Sequence, residues 1–237
     1  MGIIRLAAVA AFTLLVAACA PPKVPYDRAD GVKTIGVVTP RFPDGPVVFL
    51  ASSVGQSFGL IGALIDAGMQ ADRETKFKAV LDDQKFAASD VFIQALTTEL
   101  QARGYTVVVI PMTRDGTEFA AKYPANSDPK VDAYLDLVTY HYGYIAAGIR
   151  DAAPYRPAYA LKARLVSAKN AALLMQDSIA YNPLRAAAAS TEYVTIAPDP
   201  EYGFTNFDAL LADPNKAVKG LRIATEQSAQ AVGKLLQ

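Results

Sequence analysis

The stretch YRPAYALKARLVSAKNAALLMQDSIAYNP, residues 155–183, decides the fold. Tyr159, Leu161, Ala163 and Leu165 alternate with Lys162 and Arg164, the period-two pattern of a strand with one apolar side. The short polar run SAKN is a turn of suitable size. AALLMQDSIAYN then returns, and Pro183, which has no N–H to donate, ends the run. The unit predicts a β-hairpin with one face on a core and the other solvated. Lys162 and Arg164 then lie on the solvated face; contact with phosphate or lipid headgroups is their other reading.

Upstream, VDAYLDLVTYHYGYIAAG (residues 131–148) is rich in β-branched and aromatic residues, which suits a pleated surface. On strict alternation Tyr134, Val138, Tyr140, Tyr142 and Tyr144 share one side. Leu135, Leu137, His141 and Ile145 share the other. A strand apolar on both sides belongs in the centre of a sheet. Before it, Val91 or Phe92, Ala95, Leu96 and Leu100 recur at helical spacing. Ser89 is positioned to cap that helix with Asp90 in its first turn, and Gly104 stops it. With VKTIGVVTP (32–40) ahead and YTVVVIP (105–111) behind, strand, helix and strand make a βαβ-like start.

The remaining segments fill in around these. VVFLA reads as a second strand, 113–130 as a loop with room for one helical turn, and STEYVTIAPDPEYG as the carrier of a short edge strand. Asp213 followed by Pro214 reads as a cap with proline at the first helical position. Val218, Leu221, Thr225, Val232 and Leu235 continue at helical spacing, so the last helix should lie along the sheet. The fold class is therefore α/β in the mixed, α+β sense: one mixed sheet packed by helices in a two-layer sandwich.

Location is read from the other end of the chain. Arg5 and the apolar run Leu6 to Val16 are followed by Ala17 and Ala18, the pattern of a secretory signal peptide over residues 1–18. The run is too short to span a bilayer, which takes ~20 helical residues. VAAC, residues 16–19, resembles the lipobox of bacterial lipoproteins. The resemblance implies cleavage before Cys19, acylation (palmitate) of its thiol and acylation of the new N-terminus. An ordinary signal-peptidase site near a chance cysteine is the plainer reading. Cys19 is the one cysteine in the chain, which rules out an intramolecular disulfide and favours the lipid reading. Each buried methylene is worth ~0.8 kcal/mol, and two chains anchor stably. Ala20, in place of an aspartate, implies the outer membrane by the same resemblance. Residues 19–31 read as a Pro-rich tether, since Pro21, Pro22 and Pro25 favour extended backbone. Residues 32–237 then form a periplasmic domain.

Residues 47–72 of that domain are a Gly-rich apolar segment. On a helix Phe58, Ile61, Ile65 and Met69 fall on one side, with Gly59 and Gly62 beside them; Gly55 and Gly59 form a G-x-x-x-G. These six residues from Phe58 to Met69 are candidate partner or membrane contacts. Asp66 and the charged cluster at 72–74 argue against a span, because charge at mid-helix depth costs a few kcal/mol. A helix packed on the domain or a partner, an interfacial segment and a pore-forming insertion are the readings open.

The chain carries 23 basic and 23 acidic residues and no basic tract, so nucleic acid is not expected as a partner. The single His141 and single cysteine give no metal site, and no cofactor motif occurs. Ser127 and Lys130 match S-x-x-K without that enzyme class's partner motifs. Asp132 and Asp136 on one strand face, and Asp82 with Asp83 at a helix end, have no support as acid–base pairs. No catalytic residue is named. With the lipobox, the strand–helix–ARGYTVVVIP unit and the hairpin followed by terminal helices, the chain resembles a small cell-envelope lipoprotein whose domain is similar to the amino-terminal domain of TolB and the periplasmic domain of the curli secretion lipoprotein. The resemblance implies a non-enzymatic accessory of envelope assembly or transport, working through contacts with other envelope proteins and, in one branch, as a homo-oligomeric secretion pore. An envelope hydrolase is the alternative from another class.

Overall fold

The structure, a computed structural model, describes residues 23–50, 59–114, 118–125, 130–148, 154–183 and 193–237, with the side chains of 59–66 left out. The expected signal peptide, Cys19, Phe58 and the Ser127 end of the S-x-x-K match lie outside the described residues, as do the side chains of Gly59, Ile61, Gly62 and Ile65.

Seven strands form one mixed sheet: β1 (Thr34–Val38), β2 (Val47–Leu50), β3 (Thr106–Ile110), β4 (Ala133–Ala146), β5 (Arg156–Ser167), β6 (Leu173–Tyr181) and β7 (Val194–Ile196). Among the described residues four α-helices accompany it: α1 (Gly59–Asp83), α2 (Ala88–Ala102), α3 (Phe207–Ala212) and α4 (Pro214–Lys234). The sheet order is β3-β1-β4-β5-β6-β7, with β2 also on β4. The expected hairpin is β5–β6, antiparallel and paired from Tyr159↔Tyr181 to Val166↔Leu173. β1 and β3 are parallel, as a βαβ unit requires. The expected edge strand is β7, parallel to β6.

β4 is the long central strand, flanked by β5 over its whole length. On its other side β1 and β2 occupy one lane in succession. β1 pairs at Ala133–Leu135, Arg41 bridges at Val138, and β2 pairs at Gly143–Ala146. Pro43, Asp44, Gly45 and Pro46 break that lane, since proline cannot feed a ladder and the turn residues redirect the chain.

The helices lie on one face of the sheet. Ile35, Val37, Leu135, Leu137, Tyr159, Leu161, Ala163 and Leu165 meet Phe92, Leu96 and Leu100 of α2 and Ala224, Ala229 and Val232 of α4. Phe92 stacks on Tyr159 with centroids 5.8 Å apart, a geometry worth ~0.5–1.5 kcal/mol beyond its burial. Phe77 and Leu81 from α1 and Leu210 from α3 close a second cluster around Tyr144. Asp213 caps α4 by accepting from the Lys216 N–H at 3.0 Å, with Pro214 in the first turn. Asp213→Ala is expected to cost about 1 kcal/mol in urea denaturation.

Two expectations fail locally. Ser89 is not the cap of α2; the helix begins at Ala88, Ala87 stands at the cap position two residues before Ser89, and the Ser89 hydroxyl turns to Asp90. The tyrosines of β4 do not share one side either. The register slips between Thr139 and His141, so a β-bulge there reverses the alternation. Tyr144 and Tyr142 therefore join the helix side with Leu135 and Leu137, while Tyr134 packs on the opposite side. His141 is part-buried, and burial holds its imidazole below the usual 6.5. The unfolded chain then takes up a proton around pH 6.5 that the folded chain refuses. Stability is expected to fall as pH drops below 6.5, and His141→Gln to flatten that dependence in urea midpoints between pH 7 and 5.

Candidate functional site

The other face of the sheet carries a cluster of charge rather than a solvated surface. The expectation for Lys162 and Arg164 is corrected here: Lys162 is 5% exposed, and the Arg164 side chain 22%. The cause is the loop after β3. Its described parts, 111–114 and 118–125, run back across the face as an irregular strap.

Asp136, fully buried, is the post to which the strap is tied. Its Oδ1 accepts from Arg114 Nη2 at 2.5 Å. Its Oδ2 accepts from the Ala120 N–H at 2.8 Å, from the Tyr123 hydroxyl at 3.0 Å and from Arg164 Nη2 at 3.4 Å. Arg164 Nε donates to the Tyr123 oxygen at 2.8 Å, and its Nη2 also donates to the Ala120 carbonyl. Arg114 Nη1 donates to the Leu137 carbonyl at 3.0 Å. Burial, with the Asp136 charge next in weight, pushes the Tyr123 hydroxyl well above the ordinary tyrosine range. Tyr123 thus stays a neutral donor to the carboxylate. Lys162 pairs with Glu118 and sits 4.8 Å from the Phe119 ring centroid and 5.2 Å from that of Tyr140. Asp136 meets four donors, so its chemistry here is to accept hydrogen bonds and neutralise guanidinium charge.

Asp132 does something separate on the same strand side: its carboxylate accepts from the N–H groups of Lys33 and Thr34 at 2.9 and 2.8 Å, holding the start of β1. Asp82 pairs with Lys78 on α1. Met69 on α1 is 44% exposed, while the buried residues further along the helix are Phe77 and Leu81. The structure therefore leaves Met69 outside the packed stripe of α1. Among the described residues no group of three potential metal ligands occurs, and no helix is long and apolar enough to cross a membrane.

Beside the strap an open groove of about 720 Å³ runs between residues 119–124 and the β5–β6 turn. Tyr123, stacked on Tyr134 at 4.9 Å, forms part of its wall. Lys122, Arg164 and Lys169 line it, and no acidic residue does among the described residues. Gln176 of β6 reaches it too, and Gln176 is where Val24 docks. Val24 and Gln176 exchange both backbone hydrogen bonds at 2.9 Å, and Lys23 pairs with Asp177 at 3.2 Å.

Sequence reasoning missed Arg114, Glu118, Phe119 and Tyr123. Two signals were present: an 18-residue span (113–130) without its own regular structure, which in a compact domain usually serves a function, and Asp136 falling opposite Arg164 once β4 and β5 are paired. The docking of Lys23 and Val24 left no sequence signal.

No family model matches the chain, and neither does any curated protein. Among solved structures, lipoprotein GNA1162 from Neisseria meningitidis matches with 16% identity over 62% of this chain and 81% of that one, at a TM-score of 0.23. The fold and the site stand on this chain's own residues.

Proposed function

We propose that the protein is a lipid-anchored, periplasm-facing lipoprotein of the outer membrane, acting without catalysis in envelope assembly or transport through contacts with other envelope proteins. The observation that carries the reading is the docked tether. Val24 is held on the edge of β6 by two backbone bonds, and it follows the lipobox cysteine by five residues. Five extended residues reach at most ~17 Å. An acylated Cys19 would thus hold the β6 side of the domain close to the bilayer instead of letting it swing on a free linker. The resemblance to the TolB amino-terminal and curli secretion lipoprotein class supports the same reading. The donors gathered on Asp136 support a structural use of the most buried carboxylate.

The test is fractionation of cells expressing the full chain, with mass spectrometry of the peptide that begins at Cys19. The expected result is a protein in the outer-membrane fraction with acyl chains on Cys19, and a Cys19→Ser variant lost from it. An unacylated wild-type Cys19 would refute the anchor. Crosslinking with co-purification from membranes then identifies the envelope partner; recovery of the protein alone, without any crosslinked species, would count against action through contacts.

A further inference from the structure

The groove beside the strap is lined by three cationic side chains and, among the described residues, by no carboxylate. Lys122 and Lys169 line it, both exposed and neither paired with a carboxylate among the described residues. Arg164 lies between β5 and the strap with Nε and Nη2 committed to Tyr123, Ala120 and Asp136. Its Nη1 has no partner among the described residues, and the side chain keeps 22% of its surface exposed. A guanidinium clamped in this way loses little side-chain freedom on binding, and its planar donors suit a phosphate better than a lone ammonium does. Ser167 and Asn170, whose side-chain oxygens accept from the Lys169 and Ala172 N–H groups in the hairpin turn, place neutral polar groups around the cations. Asp136, the deeply buried carboxylate nearby among the described residues, faces Arg114, the strap and the inner side of Arg164.

Gln176 lines this groove and also holds Val24. Cys19 is five residues before Val24, so an anchored lipid keeps the groove within a few tens of Å of the bilayer surface. The anionic groups present there at the highest local concentration are lipid phosphates; Lys23 at this edge is already paired with Asp177 and is not counted among the groove's cations. We propose that the groove binds the phosphate of an anionic phospholipid headgroup in the membrane that holds the anchor. The inference rests on the anchored reading above for the source of the phosphate; the groove's preference for phosphate does not depend on it.

The test uses full-length protein reconstituted in vesicles of phosphatidylcholine alone or with phosphatidylglycerol. Amine acetylation is followed residue by residue by mass spectrometry, with Lys76 and Lys78 of α1 as internal reference. Lys122 and Lys169 are expected to react about fivefold more slowly with phosphatidylglycerol, relative to the reference lysines. Lys169→Ala, at an exposed hairpin turn, is expected to remove most of the protection at Lys122. A third arm adds inorganic phosphate to the unanchored protein in solution. Protection there without protection by phosphatidylglycerol overturns the lipid source. Equal rates in every arm, slowing shared by Lys76 and Lys78, or protection of Lys122 unchanged by Lys169→Ala overturns the groove itself. Failure of the protein to enter vesicles tells against the anchor alone, since the solution arm still reads the groove.

Discussion

Asp136→Ala is expected to lose about 3–5 kcal/mol of stability, the largest effect of any single polar substitution in the molecule. The carboxylate is fully buried and neutralises Arg114, whose side chain is 5% exposed, together with the inner side of Arg164. Removing it leaves a guanidinium buried without a counter-charge, and frees the Ala120 N–H and the Tyr123 hydroxyl from their acceptor. An uncompensated buried charge costs far more than the lost attraction. Urea denaturation measures the loss, and limited proteolysis locates it: cleavage within residues 111–125 should rise before cleavage elsewhere. The double variant Asp136→Leu, Arg114→Met is the control. It removes both charges and fills their volume, so it should cost less than Asp136→Ala alone. If the single variant is as stable as wild type, the strap is not tied down by this carboxylate.

Gly143→Ala is expected to cost about 2–4 kcal/mol through backbone strain and overpacking. Gly143 lies in β4 at φ +147°, a region that L side chains rarely adopt. A Cβ added there would stand 1.9 Å from the Val47 carbonyl oxygen, and neither partner is a flexible side-chain tip. Relief requires β2 to move away from β4, and α1 packs against β2 through the cluster that holds Val48, Phe77 and Tyr144. Amide exchange should therefore quicken across residues 47–50 and 143–146 while the β4–β5 pairing near Leu135 and Leu165 stays protected. Gly45→Ala provides the comparison. It meets nothing within 4 Å and should change stability little.

How far each of these features could be read from sequence follows from how local its cause is. The β5–β6 hairpin was legible because its pattern repeats every two residues and its turn is short. The last helix was legible because Asp213, Pro214 and a 3.6-residue stripe agree within one segment. The faces of β4 were misassigned for a definite reason. A bulge inserts one residue into the ladder and reverses every later side chain, and nothing in TYHYGY marks which residue is extra. The solvated reading of Lys162 and Arg164 failed for a different reason. Alternation reports which residues share a face, but it does not report what crosses that face from another part of the chain. Arg114 and Tyr123 lie 50 and 41 residues before Arg164, and each looks like an ordinary loop residue until β3 and β4 bring them over Asp136.

The chain's own letters thus determined the class of fold, the central strand, the hairpin and the last helix, and they carry the VAAC motif from which the anchor is proposed. These depend on periodicity, on caps and on a contiguous motif, and each is complete within a few turns or strands. Tertiary structure alone decided that the second sheet face is closed by a strap, that one buried carboxylate ties it, that an open cationic groove lies beside it, and that Val24 docks at Gln176. Each of those joins residues far apart in sequence through hydrogen bonds and charge, and such pairings become visible only when the sheet has placed their partners within reach.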